Sequence, residues 1–307
     1  RRSLVELKRH MRQASPFDTA DPSEAQAALP ALAEAAPLGP EGLARTARRL
    51  PLRSEVMELE LFDDGVVLLR FIERAGRNGF TPAFMDGIEE AFAAIAELAE
   101  AKVVVLTGHD SHFASGGTRE GLRDLQNGAT RFTDRRIYSL PLTCALPVVA
   151  AMQGHAIGAG WSLGLFCDLP IFAAERVYHS NYLWYGFTPG AGATLLFPHK
   201  LGADLGREVL FTARVYRGRE LAGRAPGLTV LPSAEVLPAA LVLAHGLAGQ
   251  PRARLVEAKA RLAGPLAARL EPVLAQELAM HEATFIGNEP VRARIEERFA
   301  GLPAETP

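Results

Sequence analysis

Two short β-branched runs, each leading into a glycine-rich turn, most constrain the fold of this 307-residue chain. The run 103–107 precedes the turn 113–118 (Phe-Ala-Ser-Gly-Gly-Thr), and 147–152 precedes 154–160 (Gly-His-Ala-Ile-Gly-Ala-Gly). Each turn opens into a segment that can be helical. Two strand-to-helix turns of this kind can point two backbone N–H groups at an oxygen that becomes negative during a reaction. We therefore predict an anion-stabilising site whose donors are the amides of Ala114 and Ala159.

The rest of the chain alternates between strand-like and helix-like patterns. Strand patterns lie at 56–61, 66–71, 103–107, 148–152 and 169–173, and helical patterns lie at 84–98 and after Gly158, Ala193 and Leu205. This alternation indicates an α/β core with largely parallel strand pairing. Beyond Ser233 the sequence is nearly all helical, and we expect these helices to form a separate cap or oligomerisation layer.

The chain divides into three predicted segments. Residues 1–50 are expected to be a linker or flanking segment, because 16–50 is rich in alanine and proline, with a short helix at 4–11. Residues 51–232 form the predicted core, and 233–307 the C-terminal helical region. Because the chain begins with Arg1 and not Met, we expect a domain cut from a longer polypeptide or a trimmed product.

Composition excludes several classes of function. The chain is 48% hydrophobic and 22% charged, enough for one sizeable core. Its net charge of −2 is spread over interspersed acids and bases, so neither nucleic acid nor an anionic membrane is indicated as a partner. Cys144 and Cys167 have no metal-type spacing and are predicted to be buried thiols of a reducing, cytoplasmic compartment. We find neither a signal peptide nor an apolar run of membrane-spanning length.

The motifs resemble the crotonase (enoyl-CoA hydratase/isomerase) superfamily. The resemblance extends from about Val56 to Phe299 and depends on the motifs at 106–108, 113–116, 154–160, 167–168 and 186–192. It implies a spiral core of ββα repeats, a C-terminal helical trimerisation region, and an oxyanion hole formed by the Ala114 and Ala159 amides. Family hydratases position and deprotonate water with two glutamates. The matching positions here are Ser162 and Tyr182, which are not bases near neutral pH, so we predict that the chain does not use the standard hydration route.

A subgroup of the superfamily is more similar: the crotonase-like decarboxylases of polyketide β-branching cassettes, which act on 3-methylglutaconyl thioesters carried by an acyl carrier protein. The matching stretches are 113–122, 150–155, 185–190, 216–218 and 277–282. Members of the subgroup lack both glutamates and carry a lysine and a histidine, which match Arg131 and His281. The resemblance implies a phosphopantetheine-linked substrate on a carrier protein, a homotrimer, and neither metal nor organic cofactor.

His281 and Arg131 are therefore the candidate catalytic side chains beside the two amides. His281 shares one helical face with Leu270, Leu274, Leu278 and Phe285, so its imidazole is expected to point into the protein and to supply a proton. Arg131 stays protonated and can grip a substrate carboxylate through two N–H bonds. Candidate substrate-binding residues are Gly117, Tyr138, His155 and Tyr182.

Four alternatives stay open at this point. Gly160–Gly164 matches the G-x-S-x-G elbow of α/β-hydrolases, with Asp168 and His281 downstream, but six residues of turn are expected between the strand and the elbow. His109 and His112 in the segment 109–112 could suggest a metal ligand pair, although a distant third ligand is missing. The chain could also be the sibling dehydratase acting on the 3-hydroxy-3-methylglutaryl precursor, or a catalytically weak carrier-docking domain.

Overall fold

The computed structural model describes residues 46–300. The predicted helix at 4–11 and nearly all of the predicted 1–50 linker lie outside these residues. Residues Ala47–Leu50, which were assigned to that linker, instead form a strand that pairs antiparallel with Met57–Phe62. Among residues 46–300, every helix is too short or too polar to cross a membrane.

A seven-stranded sheet forms the centre of the fold. Its strands are β1 (Ala47–Leu50), β2 (Met57–Phe62), β3 (Val66–Phe71), β4 (Val103–Thr107), β6 (Val148–Met152), β8 (Leu169–Ala173) and β11 (Thr229–Leu231). Their order is β1-β2-β3-β4-β6-β8-β11, antiparallel up to β3 and parallel from there. Every residue of β4 and β6 is buried, as expected for parallel strands covered on both faces. The predicted parallel α/β core is confirmed.

A second, smaller sheet holds the two glycine-rich motifs together. Its strands are β5 (His112–Ala114), β7 (His155–Ile157), β9 (Val177–His179) and β10 (Val215–Arg217), in the order β10-β9-β7-β5. β5 pairs parallel with β7, and Ala114 lies opposite Ala156. The two motifs are therefore not continuous turns, because the first begins with two residues of β5 and the second contains the whole of β7. The expectation of six turn residues before Gly160 is wrong for the same reason.

Eleven helices of the described chain surround the sheets, besides a short 3-10 turn at Ile137–Ser139. They are α1 (Pro82–Glu97), α2 (Arg119–Gln126), α3 (Leu140–Thr143), α4 (Ala159–Leu165), α5 (Tyr182–Tyr185), α6 (Ala193–Leu201), α7 (Ala203–Thr212), α8 (Gly218–Arg224), α9 (Ser233–Ala248), α10 (Arg252–Thr284) and α11 (Glu289–Ala300). Thr118 directly precedes α2 and caps it, because its hydroxyl accepts the Gly121 N–H at 3.1 Å.

The helices after Ser233 do not all form a separate layer. α9 packs Val236, Ala240 and Ala244 against the larger sheet, in one buried cluster with Val103 and Val149. α9 is therefore part of the core, and the expectation of a separate layer is wrong for this helix. α11 packs on α2 and α5, so the end of the described chain covers the helix that follows the first glycine-rich motif.

Candidate active site

The first glycine-rich motif is fixed by a buried asparagine. Asn78 is fully buried, and its side-chain NH2 group donates to the main-chain carbonyl of Phe113 at 3.0 Å. The main-chain carbonyl of Asn78 accepts the Ser115 N–H at 3.1 Å. Ser115 also donates its hydroxyl to the Arg77 carbonyl at 2.7 Å. Ala114, at the end of β5, is fully buried. These bonds hold the backbone on both sides of Ala114 in one position.

The second motif begins a helix at Ala159. Gly158 precedes α4 with φ of 53° and ψ of −127°, a conformation that side chains rarely adopt. Ala159 is the first residue of α4 and half-buried. The first amides of a helix have no acceptor within it and carry its positive dipole end. The Ala159 N–H is therefore suited to bind a negative oxygen.

The two motifs touch through their backbones. A Cβ atom added to Gly160 would lie 2.6 Å from the Ala114 carbonyl carbon and closer still to its oxygen. A Cβ atom added to Gly116 would lie 3.0 Å from the amide nitrogens of both Ala159 and Gly160. Only glycine permits this approach, so the structure places Ala114 and Ala159 on two turns in direct contact.

The hydroxyl groups of Ser162 and Tyr182, which the family resemblance matches to the two acids of hydratases, lie close together. Ser162 lies in the first turn of α4, and its Oγ is 3.5 Å from the Tyr182 hydroxyl oxygen. Ser162 is fully buried and Tyr182 is 6% exposed. Burial raises the pKa of Tyr182 above its ordinary value. Both groups therefore remain neutral near pH 7, and neither is a base that could deprotonate water.

His281 is buried on α10 and held by a backbone carbonyl. It is 4% exposed, and its Nε2 lies 2.8 Å from the Thr188 carbonyl oxygen. Because a carbonyl only accepts, Nε2 carries the proton in the neutral ring and Nδ1 has the lone pair. Aromatic rings of Phe132, Phe187 and Phe285 pack around the imidazole, with centroids 4.8, 5.7 and 5.5 Å away. Desolvation by this packing lowers the pKa of His281 to about 4.

The predicted apolar face of α10 is present, and it includes a carboxylate. Leu270, Leu274 and His281 are buried as expected, and Phe285 directly after the helix is fully buried. Glu277 lies on the same face and is fully buried. Sequence reasoning assigned it no role, although a glutamate within an apolar stripe was a visible signal.

Arg131 differs from the arginines around it. Arg119 and Arg123 pair with Glu296 of α11, Arg135 pairs with Asp86 and Glu89 of α1, and Arg136 pairs with Glu271 of α10. Arg131 is exposed, and its guanidinium has no acidic partner among residues 46–300. Its backbone N–H donates to the Asp134 carboxylate and its backbone carbonyl accepts the Asp134 N–H. The residue after it, Phe132, contacts the His281 ring. Among the arginines of the segment 119–136, Arg131 is thus the one whose guanidinium has no acidic partner in the described chain, and its neighbour Phe132 contacts His281.

The other predicted substrate-binding residues are divided between the site and its surroundings. Tyr138 is 2% exposed, and its hydroxyl has no hydrogen-bond partner among the described residues. Burial and then the negative charge of Glu277 raise its pKa. Gly117 is exposed within the first motif. His155, in contrast, accepts the Val177 N–H at 3.0 Å and packs on His112 with ring centroids 5.1 Å apart, which are contacts within the smaller sheet.

Two alternatives from the sequence are not supported by the geometry. The Ser162 hydroxyl contacts Tyr182, Asp168 pairs with Lys259 at 2.6 Å, and the His281 Nε2 is bound to Thr188. A hydrolase triad is therefore not assembled. Among residues 46–300, His, Cys, Asp and Glu side chains form no cluster of three suited to a metal. Cys167 is buried, Cys144 is half-buried, and both thiols are free.

Two backbone turns in contact, positioned by two sheets, are the arrangement expected of an enoyl-CoA hydratase/isomerase. Comparison with known proteins confirms that class of protein. The sequence profile of that family matches residues 62–297, so the chain belongs to the enoyl-CoA hydratase/isomerase, or crotonase, family of enzymes. Within the family, it is 47% identical over 240 residues to the bacillaene synthase decarboxylase PksI of Bacillus subtilis (strain 168), covering 78% of this chain and 96% of that protein.

Two solved structures extend this similarity. One belongs to a dehydratase/decarboxylase enzyme couple involved in polyketide beta-branching, with a TM-score of 0.80, 45% identity, and coverage of 82% of this chain and 99% of the other. The second is the ECH2 decarboxylase domain of CurF from Lyngbya majuscula, with a TM-score of 0.75, 35% identity, and coverage of 80% and 99%. The chain is thus similar to decarboxylases along almost their whole length.

Proposed function

We propose that the protein decarboxylates a 3-methylglutaconyl-type thioester carried by an acyl carrier protein, during polyketide β-branch formation. The observation that carries this proposal is the buried pair of Ser162 and Tyr182, because neutral hydroxyls replace the two acids that hydration requires. The similarity to decarboxylases of polyketide β-branching supports the choice of reaction and carrier.

In the proposed mechanism, the thioester carbonyl oxygen accepts hydrogen bonds from the amides of Ala114 and Ala159. Loss of CO2 leaves the electron pair of the broken C–C bond in the conjugated system, and the negative charge develops on this oxygen. Two preorganised donors stabilise that charge, and the loss of one donor typically costs about 3 kcal/mol. The unsaturated thioester itself is the electron sink.

Arg131 and His281 act on the other end of the substrate in this proposal. The Arg131 guanidinium lacks an acidic partner among the described residues and binds the substrate carboxylate through two N–H bonds. The His281 imidazole is neutral before binding, because its pKa is lowered to about 4. A substrate carboxylate near the ring raises that pKa, so the imidazole takes a proton from solvent at Nδ1. After CO2 leaves, this proton passes to carbon and completes the product.

The experiment that tests the proposal uses 3-methylglutaconyl-loaded carrier protein and follows loss of CO2 by intact-protein mass spectrometry. We expect complete conversion by the wild-type protein and strong slowing by His281→Ala. The absence of conversion at high enzyme concentration would refute the decarboxylase assignment.

Related measurements separate the alternative functions. Loss of water from 3-hydroxy-3-methylglutaryl carrier protein would identify the sibling dehydratase, and tight carrier binding without conversion would identify a docking domain. Light scattering of the purified protein tests the homotrimer that the family resemblance implies, and a monomer would contradict it.

A further inference from the structure

A buried carboxylate lies one helical turn before His281 and has no part in the mechanism above. Glu277 and His281 are four residues apart on α10, so their side chains lie on the same face. Glu277 is fully buried. A buried carboxylate is costly unless it is hydrogen-bonded, and the question is what its bonds hold in place.

Glu277 caps a helix that has no cap of its own. The residue before α6 is Gly192, with φ of 75° and no side chain that could accept an N–H. The Glu277 Oε2 accepts the Gly192 N–H at 2.7 Å, and its Oε1 accepts both the N–H and the hydroxyl of Thr194, at 2.9 and 2.6 Å. A negative group at a helix N-terminus is favoured by the helix dipole. Glu277 therefore fixes the start of α6 to α10.

The segment that ends at this cap also carries the partner of His281. It runs from Gly186 to Gly192, between α5 and α6. The Thr188 carbonyl accepts the His281 Nε2–H. A Cβ atom added to Gly190 would lie 2.9 Å from the His281 Cε1, so the backbone of the segment packs directly on the imidazole. Glu277 holds one end of a short segment whose middle contacts the ring.

We propose that Glu277 is a positioning residue: it anchors the 186–192 segment to α10 and thereby keeps the Thr188 carbonyl on Nε2 of His281. This contact selects the Nε2–H form of the ring, which leaves Nδ1 to exchange the proton with substrate. The inference rests on the proposed function for its kinetic consequence, but the state of the imidazole in the ligand-free protein tests it directly.

Glu277→Gln is the decisive change. The glutamine carbonyl oxygen can still accept at one position, but its NH2 group would face an N–H donor at the other, so one anchor is lost with almost no change in volume. Thr194→Val removes only the hydroxyl contact and serves as a second, milder variant. Glu282→Gln makes the same chemical change at an exposed position of α10 and is the control.

Two measurements distinguish positioning from general support of the fold. In protein with 15N-labelled histidines, assigned with His281→Gln, we expect the wild type and Glu282→Gln to show the Nε2–H form. Glu277→Gln should show a mixture of both forms. With loaded carrier protein, Glu277→Gln should lower kcat by ten-fold or more while KM changes less than three-fold, and Thr194→Val should show a smaller change in the same direction.

The inference is overturned if the Glu277→Gln protein keeps the wild-type imidazole form, whether or not kcat falls, because a fall in kcat alone would mean structural support only. If Glu277→Gln does not fold, Thr194→Val decides by the same spectrum. A shifted imidazole form in a protein whose wild type releases no CO2 would uphold the positioning role and refute the proposed function. The two failures are therefore separable.

Discussion

Replacement of Gly160 by alanine tests whether the contact between the two glycine-rich motifs builds the site. The new Cβ atom would lie 2.6 Å from the Ala114 carbonyl carbon and 2.9 Å from the Ala114 Cβ. Ordinary contact begins near 3.4 Å, so the two backbones must separate by about 1 Å. Neither side can adapt by rotating a side chain, because the closest atoms belong to the backbone of Ala114.

The size of the effect follows from the role of the two amides. A misplacement of about 1 Å at a reacting centre can cost roughly 100-fold in rate, and the loss of one oxyanion donor costs about 3 kcal/mol, or roughly 100- to 1,000-fold. We therefore expect kcat for CO2 release by Gly160→Ala to fall at least 100-fold. The assay is mass spectrometry of the loaded carrier protein under single-turnover conditions.

A matched control separates this effect from a general response to alanine. Gly246 lies in the last turn of α9, and a Cβ atom added there meets nothing within 4 Å. Gly246→Ala should leave kcat unchanged and stabilise the protein by about 1 kcal/mol. A folded Gly160→Ala protein with kcat within two-fold of the wild type would refute the argument that contact between the turns positions the donors.

Three further predictions follow from the same site. Arg131→Gln should lower kcat/KM for loaded carrier protein by roughly 10- to 100-fold, since a hydrogen bond to a charged group is worth about 1.5–3 kcal/mol. The control is Arg123→Gln, which should change kcat/KM little because the Arg123 guanidinium is paired with Glu296. Equal effects of the two substitutions would contradict the assignment of Arg131 as the carboxylate-binding residue. Ser162→Ala should keep activity within a few-fold and lose about 1 kcal/mol of stability, whereas abolished turnover and labelling of Ser162 by a fluorophosphonate would support a hydrolase. Burial lowers the pKa of His281 from 6.5 to about 4 in the folded protein. The neutral ring therefore contributes stability that is complete above pH 6.5 and is lost as the pH falls towards 4, by about 3 kcal/mol at most. In urea unfolding, the free energy of unfolding of His281→Gln should depend less on acid pH than that of the wild type, and an identical pH dependence would refute the desolvated ring.

The buried parallel strands could be predicted because burial dictates their composition. β3, β4 and β6 lie inside the larger sheet, and their valine-, leucine- and alanine-rich runs are visible without any knowledge of the fold. The smaller sheet could not be predicted in this way. β5 and β7 have three residues each, and the register between them depends on contacts between distant segments. A three-residue strand has no periodicity to detect.

The site residues show the same division. His281 could be placed on the buried face of α10 from the spacing of its leucines alone. Arg131 is indicated by the family resemblance alone. The residue pattern does not distinguish it from the other four arginines of the segment 119–136, because the acids that pair with those four come from α1, α10 and α11. Only the folded chain brings these acids to their partners. The distinction between a paired and an unpaired guanidinium is a tertiary property.

The position of Glu277 explains why a carboxylate so close to His281 does not restore water chemistry. A general base needs a free lone pair directed at the proton that it removes. Both oxygens of Glu277 instead accept hydrogen bonds from Gly192 and Thr194, at 2.6 to 2.9 Å. These three hydrogen bonds give the Glu277 carboxyl group a structural role at the start of α6. In the proposed mechanism, the backbone amides of Ala114 and Ala159 stabilise the enolate, and side chains outside them select the reaction. The one buried acid of the α10 face, Glu277, instead binds the Gly192 end of the segment that contacts His281.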